Sequence, residues 1–172
     1  MRDFHIETPR LILRPMETSD LEALLEIFGD PKVVASFDTE PFDRKQVQRW
    51  MQPNLEHQET YGYGLFSVIE KAEGMLIGDC GLEHMHLHGE PVTELGYDFR
   101  SDRWNQGYAT EAASAVRDYA FGELGIPSLI SLIRVGNQAS RRVAEKVGMR
   151  LMEEITINRI RYWHFVIHRR TA

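Results

Sequence analysis

Residues 104–113 (WNQGYATEAA) constrain the fold of this chain more than any other segment. A strand-like run at residues 94–99 precedes them, Gly107 punctuates, and an alanine-rich helical stretch begins at about Tyr108. A strand that feeds a helix through a short glycine turn commits the chain to a mixed α/β architecture. It also leaves the first-turn N–H groups of that helix without intrahelical partners. The helix dipole adds about half a positive charge there, so the turn suits a phosphate or pyrophosphate. No Gly-Lys-Ser/Thr follows and no G-x-G-x-x-G is present, so the cradle is neither a P-loop nor a dinucleotide fingerprint. Taken alone, the same residues also read as an ordinary strand-to-helix turn that needs Gly107 for its backbone angles.

A second segment narrows the choice. Residues 137–149 (NQASRRVAEKVGM) follow a short apolar strand at 129–135 and read as a helix capped by Asn137 and stopped by Gly148. With TPRLILRP at residues 8–15, these motifs in this order resemble the GNAT superfamily of N-acetyltransferases, most of all the branch containing the ribosomal-protein N-terminal acetyltransferases. The resemblance runs over about residues 8–169. It implies one GNAT domain over 1–172, with a mixed, mostly antiparallel sheet of six to seven strands flanked by about four helices and splayed between its fourth and fifth strands. It also implies acetyl-CoA as co-substrate and direct attack by a primary amine in a ternary complex. The favoured acceptor is then a protein N-terminal α-amine, as of a ribosomal protein. The alternatives are a small amine (polyamine, amino acid or amine antibiotic) and a non-catalytic acyl-CoA sensor.

Composition bounds these readings. At 172 residues and 42% hydrophobic content the chain supports one substantial core. The single cysteine, Cys80, has no disulfide partner and sits in an apolar run, which fits a buried hydrophobe in a reducing compartment. The N-terminus lacks the apolar core of a signal peptide, and no run approaches a membrane span, so the expectation is a cytoplasmic protein without a membrane partner. A net charge of −6 with interspersed signs argues against a nucleic-acid surface and favours a cationic acceptor. A homodimer is compatible with this composition.

Periodicity places a strand at 10–16, a helix from the cap Thr18-Ser19-Asp20 to Gly29, and a helix from Asp43 broken by Pro53. Strands at 63–70 and 75–84 form a hairpin, 92–99 continues the antiparallel run, and 151–157 and 160–168 close the chain around Asn158-Arg159. The helix between strands 94–99 and 129–135 implies a parallel relation between them. The irregular stretch 30–42 is assigned to substrate choice.

Under the resemblance, the backbone of Trp104, Asn105, Gln106, Gly107, Tyr108, Ala109 and Thr110 would hold the pyrophosphate. The family pattern opens with Gln or Arg where this chain has Trp104, which puts a side-chain phosphate contact there in doubt. The pantetheine arm would pair with the backbone of Tyr97, Asp98 and Phe99. Asn137 anchors the arm, or serves as a plain N-cap. Arg141 and Arg142 could face phosphates, whereas Arg169 and Arg170 read as a solvated tail.

Acetyl transfer to an amine needs a proton acceptor for the ammonium and a proton for the departing thiolate. Alternation puts Glu94, Gly96 and Asp98 on one strand face. A carboxylate in a central strand is costly unless paired or solvated, which makes Glu94 the candidate base, with Asp98 as competitor and Glu111 as a first-turn helix residue. The family's usual acid, a tyrosine seven residues after the asparagine, is here Ala144. Ser140 becomes the candidate to hydrogen-bond the thiolate, or else a first-turn capping serine. His84, His86 and His88 alternate as zinc ligands would, but a turn at Gly89-Glu90-Pro91 would splay them, so no metal is expected. They would instead line an acceptor cleft, where one could replace the base, or face water. Trp50, Tyr61, Tyr63 and Trp163 are expected mainly in the core.

Overall fold

The computed structural model describes residues 4–170. Eight strands form one sheet: β1 (Ile6–Glu7), β2 (Leu11–Pro15), β3 (Leu65–Glu70), β4 (Met75–Leu87), β5 (Glu90–Phe99), β6 (Ser128–Arg134), β7 (Arg150–Ile157) and β8 (Ile160–His168). Five helices accompany them: α1 (Leu21–Phe28), α2 (Pro31–Val34), α3 (Arg44–Tyr61), α4 (Tyr108–Gly122) and α5 (Gln138–Val147). The sheet order is β1-β2-β3-β4-β5-β6-β8-β7. Every neighbouring pair is antiparallel except β5 and β6, which are parallel as a crossover through α4 demands.

The mixed, mostly antiparallel architecture is the one expected, with β1 and α2 added. Both are too short for periodicity to reveal: β1 has two residues and α2 one turn. α2 forms because Asp30 caps it, its side chain accepting from the Lys32 N–H at 2.9 Å, and because Pro31 starts it.

Pro53 does not break the second long helix. α3 runs through it, opened by a capping box between Asp43 and Gln46, with both bonds at 2.8 Å, and closed by Gly62 in the left-handed region. Tertiary bonds hold the helix beyond the proline. Asn54 brackets the backbone of Leu65, accepting from its N–H at 2.7 Å and donating to its carbonyl at 3.0 Å, while Gln58 does the same for Met16.

The β4–β5 turn also departs from expectation. β4 continues to Leu87 and turns at His88 and Gly89, both with positive φ (51° and 83°), in the two-residue form whose twist suits a hairpin. This turn fixes a register that sets Asp79 against Asp98, Gly81 against Gly96 and Glu83 against Glu94.

One apolar core, containing Phe66, Leu82, Leu95, Val116, Leu129 and Phe165, lies between the sheet and the helices α4 and α5. A second, with Leu24, Phe28, Val34, Val47 and Met51, packs α1, α2 and α3 on the other face. Strand alternation assigns Asp79, Glu83, Glu94 and Asp98 to that second face.

Candidate active site

β5 and β6 part almost at once. They match at one position only, Glu94 with Ile130, and side chains supply what the backbone ladder lacks. Glu94 Oε1 accepts from the Leu132 N–H at 3.0 Å, and the Ser131 hydroxyl donates to the Leu95 carbonyl at 2.6 Å. From Gly96 to Phe99, β5 therefore pairs with β4 but not with β6. This is the expected splay between the fourth and fifth long strands.

Two cavities open at the splay. The first, about 480 Å³, is floored by the start of α4 and walled by α2 and α5. Gly107 is the N-cap of α4 at φ 83° and brings no side chain to cap the N–H groups of the first turn. Lys32, Arg103, Arg142 and Lys146 lie in the wall, against Asp98 as its single acid among the described residues. Arg103 is already paired with Glu70, Glu73 and Asp102, so the uncapped helix N–H groups stand beside three cations, Lys32, Arg142 and Lys146, an arrangement that suits phosphate groups.

The second cavity, about 510 Å³, lies on the other side of the splay. Its charge is reversed: Glu83, Glu94 and Asp98 line it, with Arg134 the one basic side chain in its wall among the described residues. The two cavities share Ser36, Tyr97, Asp98, Asn137 and Ser140, so they meet where those residues stand.

Behind this junction Asp79 is fully buried, and neither of its carboxylate oxygens has a hydrogen-bond partner. None of Asp79, Glu83, Glu94 and Asp98 forms an ion pair among the described residues. Burial pushes the Glu94 carboxyl up to about 7, opposed by the Leu132 N–H and reinforced by the charges of Glu83 and Asp98. Burial raises Asp79, Asp98 and Glu83 as well; the charges of Asp98 and Glu83 add to the rise in Asp79, and the charge of Glu83 adds to the rise in Asp98.

The residues singled out in the sequence fall unevenly around this junction. Tyr97, Asp98, Phe99, Trp104, Asn105, Gly107, Tyr108, Ala109, Thr110 and Asn137 all line the first cavity, and Glu94 lines the second. Gln106 does not: its side chain donates to the Asp102 carbonyl at 3.2 Å and its own carbonyl accepts from Arg10 at 2.8 Å. The Tyr108 ring is turned into the core, with its hydroxyl on Glu70 and the Arg10 guanidinium 4.2 Å above its face. Trp104 donates its indole N–H to the Phe99 carbonyl at 2.9 Å, which braces the turn.

Asn137 caps α5 by accepting from the Ser140 N–H at 3.2 Å, and its side-chain N–H₂ group makes no bond among the described residues. The Ser140 hydroxyl likewise makes no bond within the described residues, while its backbone carbonyl receives the Tyr97 hydroxyl at 2.8 Å. Ala144 is buried and puts no hydroxyl at the junction.

Other candidates lie elsewhere. Glu111 binds the chain start, accepting from the Thr8 hydroxyl and from two N–H groups of Arg10. Arg142 reaches the first cavity, but Arg141 lies 4.9 Å over the Trp163 ring and pairs with Glu145. Arg169 is tied down by its backbone, donating to the Pro127 carbonyl at 2.8 Å, and is not a free tail.

His84 and His86 line neither cavity; His84 lies tilted against Tyr61, which is 46% exposed and not a core residue, and His86 meets His84 edge-on. Among the described residues no three His, Cys, Asp or Glu side chains are placed to hold a metal ion. Cys80 is buried, and burial with the nearby Asp79 and Asp98 pushes its thiol up, away from reactivity. Lys32, Lys146, Arg103 and Glu83 were not singled out from the sequence, because their convergence depends on how distant elements pack. No helix among the described residues is long and apolar enough to cross a membrane.

Comparison with known proteins bears on the fold and the family of the chain. Residues 10–150 match the family model for the acetyltransferase (GNAT) domain. The chain is 37% identical to the Bacillus subtilis (strain 168) protein YkkB over 149 residues, 86% of each chain. It is 32% identical to the uncharacterized N-acetyltransferase YnaD of the same organism, covering 85% of this chain and 82% of YnaD. Among solved structures, an acetyltransferase from Agrobacterium tumefaciens superposes with a TM-score of 0.83 at 28% identity, covering 98% of this chain and 96% of the other.

Proposed function

The chain belongs to the GNAT acetyltransferase family, and on that premise we propose that it moves acetyl from acetyl-CoA to a small primary amine carrying more than one positive charge. The observation that carries this reading is the reversal of charge across the splay. Four basic side chains line one cavity, and three carboxylates line the other with Asp79 buried behind them. A buried carboxylate without a partner, as Asp79 is, is costly, and the partly exposed Glu83, Glu94 and Asp98 beside it have no cation paired with them among the described residues. A multiply charged amine supplies the missing partners.

In this reading the N–H groups at the start of α4, with Lys32, Arg142 and Lys146, hold the phosphates. The backbone of Tyr97, Asp98 and Phe99 pairs with the pantetheine arm as an added strand would. The Asn137 side-chain amide and the Ser140 hydroxyl flank the thioester. Acetyl-CoA supplies the activated acyl group. Glu94, with a carboxyl near neutrality, takes a proton from the incoming ammonium so that the free amine can attack. Ser36 and Phe37, from the irregular 30–42 stretch, line the acceptor cavity and support the assignment of that stretch to substrate choice.

A protein N-terminal α-amine, the acceptor implied by the resemblance, carries one charge and a trailing chain. The two readings separate in an acceptor panel with acetyl-CoA and mass-spectrometric detection of products. A polyamine or diamine should exceed a monoamine of equal length by at least about tenfold in kcat/KM, the value of one satisfied charge pair at about 1.4 kcal/mol. Preference for peptides with free α-amines would overturn the acceptor assignment, and acetylation of nothing in the panel would overturn the reaction.

A further inference from the structure

Asp79 and Asp98 stand directly opposite each other on β4 and β5, on the same sheet face. Opposed side chains in such a pair have Cβ atoms about 5 Å apart. Asp79 is wholly buried with both oxygens unpartnered, while Asp98 reaches the junction of the two cavities. Among the described residues no cation lies at hydrogen-bond distance: on β3, Ser67 stands opposite Asp79 but gives its hydroxyl to Asp20, which is paired with Arg14. Glu83 and Glu94 share the face, with His57 acting on Glu83. Cys80 lies behind on the opposite face. α1 packs buried Leu24, Ile27 and Phe28 on this side and turns Glu26 to Arg100. Arg134 and Lys32 stand in the cavity walls without a bond to either aspartate. Two carboxylates so placed do not both ionise, and the pair keeps a proton.

Chemistry at the same junction needs a proton. The departing thiolate must receive one, Ala144 has none to give, and the Tyr97 hydroxyl is committed to the Ser140 carbonyl. Ser140 can hydrogen-bond a thiolate but is too weak an acid to protonate it. We propose that Asp98 is the catalytic acid that protonates the coenzyme A sulfur, and that Asp79 is the positioning residue that keeps Asp98 supplied with its proton.

The step balances. Glu94 removes one proton from the ammonium, the amine nitrogen bonds to the acetyl carbon, and the carbon–sulfur bond breaks with its electron pair passing to sulfur. Asp98 gives its proton to that sulfur and receives the surplus proton of the new amide nitrogen. The pair ends as it began, and one proton leaves through Glu94.

This inference rests on the acetyl-transfer reading above, and its test separates the two. Carboxyl ¹³C-labelled aspartate, followed by NMR in the wild-type protein, should show at least one aspartate still protonated at pH 6. In Asp79→Asn, Asp98 should titrate at lower pH. The alkaline limb of the kcat profile, where the acid form is lost, should then move down by at least about one pH unit, because relieving a buried like-charge neighbour is worth that much or more. Asp98→Asn should lower kcat by about a hundredfold or more with acetyl-CoA affinity unchanged.

All aspartates ionised in the wild type at pH 6, a measurement that needs no variant, would overturn the proposal. So would an unmoved alkaline limb in a folded Asp79→Asn, or full turnover in Asp98→Asn. A protonated pair in a protein that acetylates no amine would overturn the reaction itself and the acid role with it.

Discussion

Glu94 has two tasks that a single substitution separates. Its oxygen receives the Leu132 N–H across the splayed strands, a bond that a neutral amide oxygen accepts as well. Its proton affinity, set by burial and by the neighbouring carboxylates, places it near pH 7. A base must be ionised, so turnover should rise with pH through about 7. Glu94→Gln should keep the fold, lower kcat by about tenfold or more, and remove that acidic limb while leaving acetyl-CoA affinity in place. Profiles of kcat against pH with calorimetric binding check this; a limb and rate that survive the change would move the role to another group.

Glu94 was legible because alternation sets a carboxylate in a central strand. Asp79 and Glu83 were not, since their place opposite Asp98 and Glu94 depends on the two-residue turn at His88 and Gly89. A turn one residue longer, as Gly89-Glu90-Pro91 suggests, would alter the pairing, and a one-residue slip reverses a strand's faces.

At the scale of elements, α4 is the piece whose start is most exposed to test. Gly107 occupies the left-handed region at φ 83°, and a Cβ there would sit 3.3 Å from the Arg10 guanidinium. Gly107→Ala should carry the backbone strain, on the order of 1 kcal/mol. Gly107→Glu should carry that strain plus a negative charge beside the helix N-terminus. With acetyl-CoA at about a hundred times its Kd, the wild type and the alanine variant should gain about 2.7 kcal/mol, a melting shift of roughly 5 to 10 °C. The glutamate variant should gain almost nothing, and an undiminished shift would exclude the α4 start as the phosphate site.

The long elements were readable from periodicity and caps, including α5 between Asn137 and Gly148. The path of α3 through Pro53 was not, because the bonds of Asn54 and Gln58 that hold it come from outside the helix, from Leu65 at the start of β3 and from Met16 just after β2. Local propensity cannot register such support.

Over the whole molecule, the net charge of −6 conceals a division between a basic cavity and an acidic one on either side of a parted pair of strands. Under the proposed function, that division would draw an anionic donor and a cationic acceptor to opposite sides of one junction. Net charge alone suggested a cationic acceptor but could not bring the carboxylates together; the packing of α2, α5 and β4 against the splay does.

The most direct measurement is a crystal structure of the protein with coenzyme A and a diamine bound together. The account predicts phosphates at the start of α4 among Lys32, Arg142 and Lys146, the thiol beside Asp98 and Ser140, and one ammonium beside Glu83 and Glu94. A diamine seated away from those carboxylates, or phosphates bound away from Gly107, would contradict it.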